Sequence, residues 1–241
     1  SPKDYLRHPL ETFETNAIGL KTLFDQAGAT GAGAMVYFST AEIYGQPPDS
    51  AIPTPEAYCG GLDTLQVRTI YSESKRMAEV LGACSSERWG VPFIALRPWN
   101  VYGSGQRLND GRVPVDFVRQ ALENGAIHLQ SNGSPRRAFC YVWDAMRQIT
   151  ATLSCPGPVA AFNIGNGGEE KSILELARLC AIQCGLTESA VTYDHTAVSS
   201  GLQRCVPDTT KVLRLFPVPL EFSPLSRGLD CLADWCRFLR S

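Results

Sequence analysis

No stretch of this chain stays apolar long enough to cross a bilayer, and no basic leader with an apolar core opens it. A soluble protein is therefore expected, with no membrane partner. Charge of one sign is not in excess either. The 22 Lys and Arg nearly balance 24 Asp and Glu, and a net charge of −2 gives no reason to expect a nucleic-acid partner. Repeats and low-complexity tracts are missing. Among the nine cysteines there is no C-x-x-C pair. Cys180 and Cys184 fall one turn apart on an expected helix, but no further Cys or His lies close by to complete a metal site. No metal is expected; buried, reduced thiols are, and with them a cytoplasmic location. An initiator Met is also missing. The chain starts Ser1-Pro2, as a processed, truncated or partial polypeptide would.

What is present suits a globular fold: 241 residues, 44% hydrophobic and 19% charged. Leu10, Phe13, Ala17, Leu20, Leu23 and Phe24 recur at helical spacing and predict a helix over 9–26, with Gly28 and Gly31 as stop signals. A buried strand over 34–39 and a long polar loop over 46–68 follow. The spacing then predicts a helix over 71–89 and a strand over 91–96. Helix alternating with buried strand predicts a parallel sheet covered by helices. After Gly103 the texture changes. Helices are expected near 114–123, 144–153, 172–184 and 225–239, and short strands near 127–130, 136–142, 160–164 and 191–193.

Candidate chemistry starts at Tyr71-Ser-Glu-Ser-Lys75. Residues four apart share a helix face, so a phenol and an ammonium can act on one target. A phenol titrates near pH 10 in water; a neighbouring ammonium favours phenolate and makes it a usable acid/base. By itself such a pair is commonplace on helices. Its neighbours give it weight. Ser39-Thr-Ala-Glu-Ile-Tyr-Gly45 directly follows a buried strand, and ligands of open parallel sheets sit beyond the carboxyl ends of the strands. The next strand ends the same way, in Arg97-Pro-Trp-Asn-Val-Tyr-Gly-Ser-Gly105.

Together with Asn16-x-x-Gly19, Asn109-Asp-Gly-Arg-Val, Arg137-Ala-Phe-Cys-Tyr-Val-Trp-Asp144, Asn163-Ile-Gly-Asn166 and Val206-Pro-Asp208, these blocks resemble the extended short-chain dehydrogenase/reductase family. The likeness is to its NAD-dependent nucleotide-sugar epimerases, dehydratases and decarboxylases. It implies an α/β fold: the C-terminal part of a doubly wound, Rossmann-like parallel sheet with a smaller mixed α/β substrate lobe. On that reading residues 1–105 are the remaining half of the NAD-binding domain, and 106–241 are mainly the substrate lobe, with some segments returning to the sheet.

The resemblance also implies roles. Tyr71 would be the acid/base on the sugar hydroxyl, with Lys75 its tuner and a ribose ligand. Thr40 would share the proton path, and Glu42 would serve deprotonation and touch the sugar. Ser39 and Pro98 would join Tyr71 and Lys75 at the cofactor. Asn100, Arg112 and Arg137 would hold the nucleotide-sugar, with Arg137 on the diphosphate, since a guanidinium suits phosphate oxygens. The implied reaction oxidises the sugar C4 hydroxyl and works on the 4-keto intermediate. UDP-, dTDP- and GDP-linked sugars all remain open, and a homodimer is implied. Ala41 stands where dTDP-glucose 4,6-dehydratases of the family carry Asp, and where UDP-glucuronate decarboxylases and GDP-mannose dehydratases carry Ser, so it departs from all three. The loop with Tyr58-Cys-Gly-Gly most resembles the decarboxylase-like branch.

One unit of the family pattern has no counterpart here: the strand, Gly-rich turn and helix that grip the pyrophosphate. Gly28-Ala-Thr-Gly-Ala-Gly33 cannot replace it, because it follows a helix and precedes a strand. Without those strands, the strand over 34–39 should present a long apolar edge, an aggregation hazard. Three explanations stay open: a longer polypeptide, a partner chain that supplies the unit, or a shortened, non-catalytic relative that binds sugar nucleotides without NAD.

Overall fold

A computed structural model of the protein describes residues 2–109, 111–154, 157–197 and 203–240; Asp110 and Cys155 of the sequence reading lie outside them. Two compact units emerge. One comprises Ser1–Pro98, Arg147–Ile164 and Asp208–Pro219, the other Trp99–Met146, Gly165–Pro207 and Leu220–Ser241. The helices are α1 (Pro2–Arg7), α2 (Pro9–Phe13), α3 (Leu20–Ala29), α4 (Ile70–Trp89), α5 (Val113–Asn124), α6 (Val142–Thr152), α7 (Ile173–Gln183), α8 (Thr210–Leu213) and α9 (Leu225–Phe238). The strands are β1 (Met35–Phe38), β2 (Phe93–Pro98), β3 (Val101–Tyr102), β4 (Ile127–Leu129), β5 (Arg136–Ala138), β6 (Cys140–Tyr141), β7 (Val159–Ile164), β8 (Glu170–Ser172), β9 (Val191–Tyr193) and β10 (Arg204–Cys205). The protein is thus α/β. Among the described residues, no helix is long and apolar enough to cross a membrane.

In the first unit β1, β2 and β7 form a parallel sheet in that order, with Met35 opposite Phe93 and Leu96 opposite Phe162. Phe93, Ile94, Ala95 and Leu96 are all buried, as a central parallel strand requires. β1 alternates instead: Met35 and Tyr37 are buried, whereas Val36 and Phe38 are 38% and 54% exposed. Among the described residues its one strand neighbour is β2, so the expected apolar edge is there, limited to four residues.

One face of the sheet packs on α3 and α4 through Phe24, Met35, Tyr37, Ala78, Phe93 and Ala95. The inward stripe of α4 is made of small residues, Ser72, Ser74, Ala78, Gly82 and Ser86, which lets the helix lie close. A Cβ on Gly82 would run into the buried Phe93 ring. Gly82→Val is therefore expected to destabilise the protein by about 1–3 kcal/mol through overpacking. A lowered urea midpoint would show this, and an unchanged midpoint would contradict the packing.

The first long helix is present but irregular. Glu14–Gly19 form a π-helical turn between α2 and α3, and from it Asn16 Nδ2 donates to Ser74 Oγ of α4 at 3.1 Å. Gly28 does not stop the helix. It lies inside α3 against the Trp89 ring, and the left-handed Gly31 (φ 68°) follows the helix end.

In the second unit α5, α7 and α9 enclose a core that includes Val115, Val118, Leu176, Leu229 and Leu232. A capping box starts α7: Ser172 Oγ accepts from the Glu175 N–H, and the Ser172 N–H donates to Glu175 Oε2 at 2.6 Å. The strand expected over 136–142 is split. β5 pairs with β8 and β10 while β6 pairs with β3, and Phe139 between them turns into the core. The thiols also differ from expectation. Cys140, Cys180, Cys205 and Cys236 are buried, but Cys59 and Cys84 are exposed, one on a polar loop and one off the inward stripe of α4.

Candidate active site

Tyr71 is the second residue of α4, where the helix dipole favours a phenolate. One turn on, the half-buried Lys75 donates from Nζ to the Phe38 carbonyl at 2.8 Å. Its ammonium lies 4.8 Å from the Tyr37 ring centroid and 5.9 Å from that of Tyr71. Burial lowers the Lys75 pKa below the ordinary lysine value. The carbonyl and the two aromatic faces partly offset that desolvation. Tyr5 of α1 stacks its ring on Tyr71, centroids 4.8 Å apart and 8° from parallel.

At the carboxyl end of β1, the Ser39 N–H donates to Leu96 O at 2.7 Å. Its hydroxyl is buried and has no hydrogen-bond partner among the described residues. Thr40 is extended and caps the 3-10 turn Ala41–Tyr44, its Oγ1 accepting from the Glu42 N–H at 3.2 Å. That bond uses a lone pair and leaves the hydroxyl proton available for donation. Glu42 is half-buried, with its carboxylate 3.9 Å from the Arg68 guanidinium.

The turn is anchored at its far end. Tyr44 OH donates to Asn163 Oδ1 at 2.8 Å and accepts from Arg97 Nη1 at 2.7 Å. Arg97 grips the Glu79 carboxylate of α4 with Nε at 3.0 Å and Nη2 at 2.6 Å, and Asn163 Nδ2 donates to the carbonyls of Thr54 and Asp208. Gly60 lies against the Tyr44 backbone where a Cβ would not fit, and its carbonyl accepts from Arg76 Nη1 at 2.9 Å. Four sequence blocks thus meet around one turn: FSTAEIYG, Tyr58-Cys-Gly-Gly, Arg97 and Asn163.

Pro98 ends β2 opposite Ile164 in the same unit as Ser39, Thr40, Glu42, Tyr71 and Lys75. Asn100, Arg112 and Arg137 belong to the second unit. Asn100 holds a left-handed backbone (φ 42°) and donates from Nδ2 to Ala138 O at 3.0 Å. Arg112 is the extended, exposed residue before α5. Arg137 sits half-buried in β5 opposite Lys171 and Cys205, and burial lowers its pKa. Sequence reasoning missed Tyr5 and Arg68. Arg68 precedes Tyr71 by three residues, a spacing that offered a signal; Tyr5 offered none.

A model of the NAD dependent epimerase/dehydratase family matches residues 1–165. The chain belongs to this family. It is 36% identical over 181 residues to UDP-glucuronic acid decarboxylase 1 of Danio rerio, covering 74% of this chain and 42% of that protein. It is also 36% identical over 179 residues to UDP-glucuronic acid decarboxylase 3 of Arabidopsis thaliana, covering 73% of this chain and 50% of that one. This family member therefore spans about half the length of the curated relatives it matches. Among solved structures, UDP-glucose 4-epimerase of Thermotoga maritima with UDP-glucose superposes with a TM-score of 0.85 at 23% identity, over 100% of this chain and 75% of that one. A dTDP-glucose 4,6-dehydratase of Streptomyces venezuelae with NAD bound gives 0.82 at 24%, over 100% and 71%. At such identities the superpositions establish the Rossmann-type fold.

Proposed function

We propose that this chain belongs to an enzyme that modifies a nucleotide-sugar through a 4-keto intermediate with NAD. Residues 1–105 would serve the NAD-binding domain and 106–241 mainly the substrate lobe. The observation that carries this reading is Tyr71 in the first turn of α4, 5.9 Å from a half-buried ammonium. Lys75 and the helix dipole favour the phenolate, so Tyr71 can take the proton from a sugar hydroxyl. Thr40, with its oxygen already engaged as an acceptor, holds a proton for the same path. Glu42 is the carboxylate for deprotonation next to the ketone.

The residues present fit the nicotinamide end of NAD. The orphaned, buried Ser39 hydroxyl and the Lys75 ammonium at the end of β1, with Tyr71, would hold its ribose side, and Pro98 would flank it. NAD, when bound, supplies reversible hydride exchange. Asn100, Arg112 and Arg137 are the proposed contacts to the nucleotide-sugar. The half-buried Arg137, whose Nη1 donates to the Arg136 carbonyl at 2.8 Å, is the proposed contact to the diphosphate, whose oxygens a guanidinium suits.

The names of the two decarboxylase relatives and the Tyr58-Cys-Gly-Gly loop favour a UDP-linked uronic acid over the dTDP and GDP alternatives. A cytoplasmic homodimer completes the reading. Calorimetric titration with NAD, UDP-glucuronate, UDP-glucose, dTDP-glucose and GDP-mannose tests it. NAD and at least one UDP-sugar are expected to bind. Sugar-nucleotide binding with no NAD binding would sink the enzyme reading and leave a non-catalytic binding protein.

A further inference from the structure

The surroundings of Tyr71 hold a cation that the proposed chemistry does not use. Arg68 lies in the 3-10 turn Val67–Thr69 that leads into α4, three residues before Tyr71. Its side chain is 62% exposed, and its guanidinium is 3.9 Å from the Glu42 carboxylate. That separation is long for an ion pair, and an exposed pair of this kind contributes little to stability. Burial raises the Tyr5 pKa and Glu42 raises it further, while Arg68 pulls it down, so the three side chains share one locale. The Tyr5 ring in turn lies flat on Tyr71.

Electrostatics gives this arrangement a consequence. A neutral sugar presented to Tyr71 has no quarrel with Glu42. A sugar bearing a carboxylate does, because two carboxylates within a few ångström repel strongly. A guanidinium beside Glu42 offsets that repulsion. Its five donors form a fork that matches a second carboxylate in bidentate fashion; one is engaged by the Tyr5 hydroxyl and one lies 3.9 Å from Glu42, which leaves further donors for a ligand. In a hexuronic acid the C6 carboxylate is separated from the C4 hydroxyl only by C5, so a group near both Glu42 and Tyr71 is well placed for it.

We propose that Arg68 is a specificity-determining residue that takes the C6 carboxylate of a nucleotide-linked uronic acid, with Glu42 as its partner in the ligand-free chain. This rests on the nucleotide-sugar reading above. The test compares UDP-glucuronate with UDP-glucose by calorimetry on the full chain, as wild type, Arg68→Gln and Arg68→Lys. Wild type should bind UDP-glucuronate at least about tenfold more tightly. Arg68→Gln should weaken UDP-glucuronate by about tenfold to a hundredfold, the loss of a hydrogen bond to a charged group, and change UDP-glucose by less than about threefold. Arg68→Lys, a point charge without the fork, should restore only part of the loss.

Because Arg68 is exposed, thermal unfolding of both variants should match wild type. Equal binding of the two sugars by wild type, or an equal effect of Arg68→Gln on both, overturns this proposal alone. Failure of wild type to bind either sugar overturns the nucleotide-sugar reading and this proposal with it.

Discussion

Tyr71→Phe is expected to lower kcat for UDP-sugar turnover by about 10²–10⁴, the usual contribution of one positioned acid/base. The substitution is informative because it removes a single oxygen. Phenylalanine keeps the ring that stacks on Tyr5 at 4.8 Å and keeps the Lys75 ammonium over an aromatic face. Thermal unfolding should stay within about 0.5 kcal/mol of wild type, and KM should change little, since the hydroxyl acts on the bond being made and broken. Lys75→Met should give a loss of similar order by a different route, because the phenol would then lack its neighbouring cation. The two effects should not add: with the phenol already gone, removing its tuner has little left to remove. Product formation with NAD and UDP-glucuronate, followed by chromatography, measures the two single variants and the double variant Tyr71→Phe/Lys75→Met. Full turnover by Tyr71→Phe would remove Tyr71 from the reaction.

Much of this arrangement could be read from the chain because its signals are local. Period and composition marked the strands that became β1, β2, β4, β7 and β9, and the helices from α4 onward except the single turn of α8. Where the reading failed, distant parts of the sequence decide the outcome. Phe139 looks like one more strand residue until the core of the second unit claims it and splits the strand. Arg97 looks like a strand terminator but continues β2, because Glu79, Tyr44 and the Glu56 carbonyl satisfy its guanidinium inside the fold. Gly28 looks like a helix stop, yet its position records the Trp89 ring sixty-one residues away. Tyr5 reaches Tyr71 across a still longer stretch of chain, and no periodicity reports such a meeting. The catalytic candidates were legible for the opposite reason: Thr40 with Glu42, and Tyr71 with Lys75, are each set by spacing of a few residues along the chain.

The largest effect on stability is expected at Arg97. Its side chain is only 12% exposed and that of Glu79 15%, so the pair is desolvated, and the bidentate contact at 2.6 and 3.0 Å compensates both charges. Arg97→Met would leave the Glu79 carboxylate without that compensation and free the Tyr44 hydroxyl from one of its bonds. Breaking a buried pair from one side costs about 3–5 kcal/mol, a large share of the roughly 5–15 kcal/mol that holds a domain together. Arg97→Met/Glu79→Leu should recover most of this, since an apolar pair of similar volume needs no compensation. Urea unfolding of the two variants separates a broken ion pair from lost packing, because packing would be poorer in both. The functional consequence follows from Tyr44, which closes the turn that begins at Ala41. Its ring lies under the guanidinium, and burial pushes its hydroxyl up to about 12, so it stays a neutral donor to Asn163. With Arg97 gone the turn loses an anchor, and Thr40 and Glu42 lose their fixed place at the end of β1. The double variant should therefore regain stability without regaining turnover. Recovery of both together would mean that Arg97 matters to the fold and not to the placement of the site.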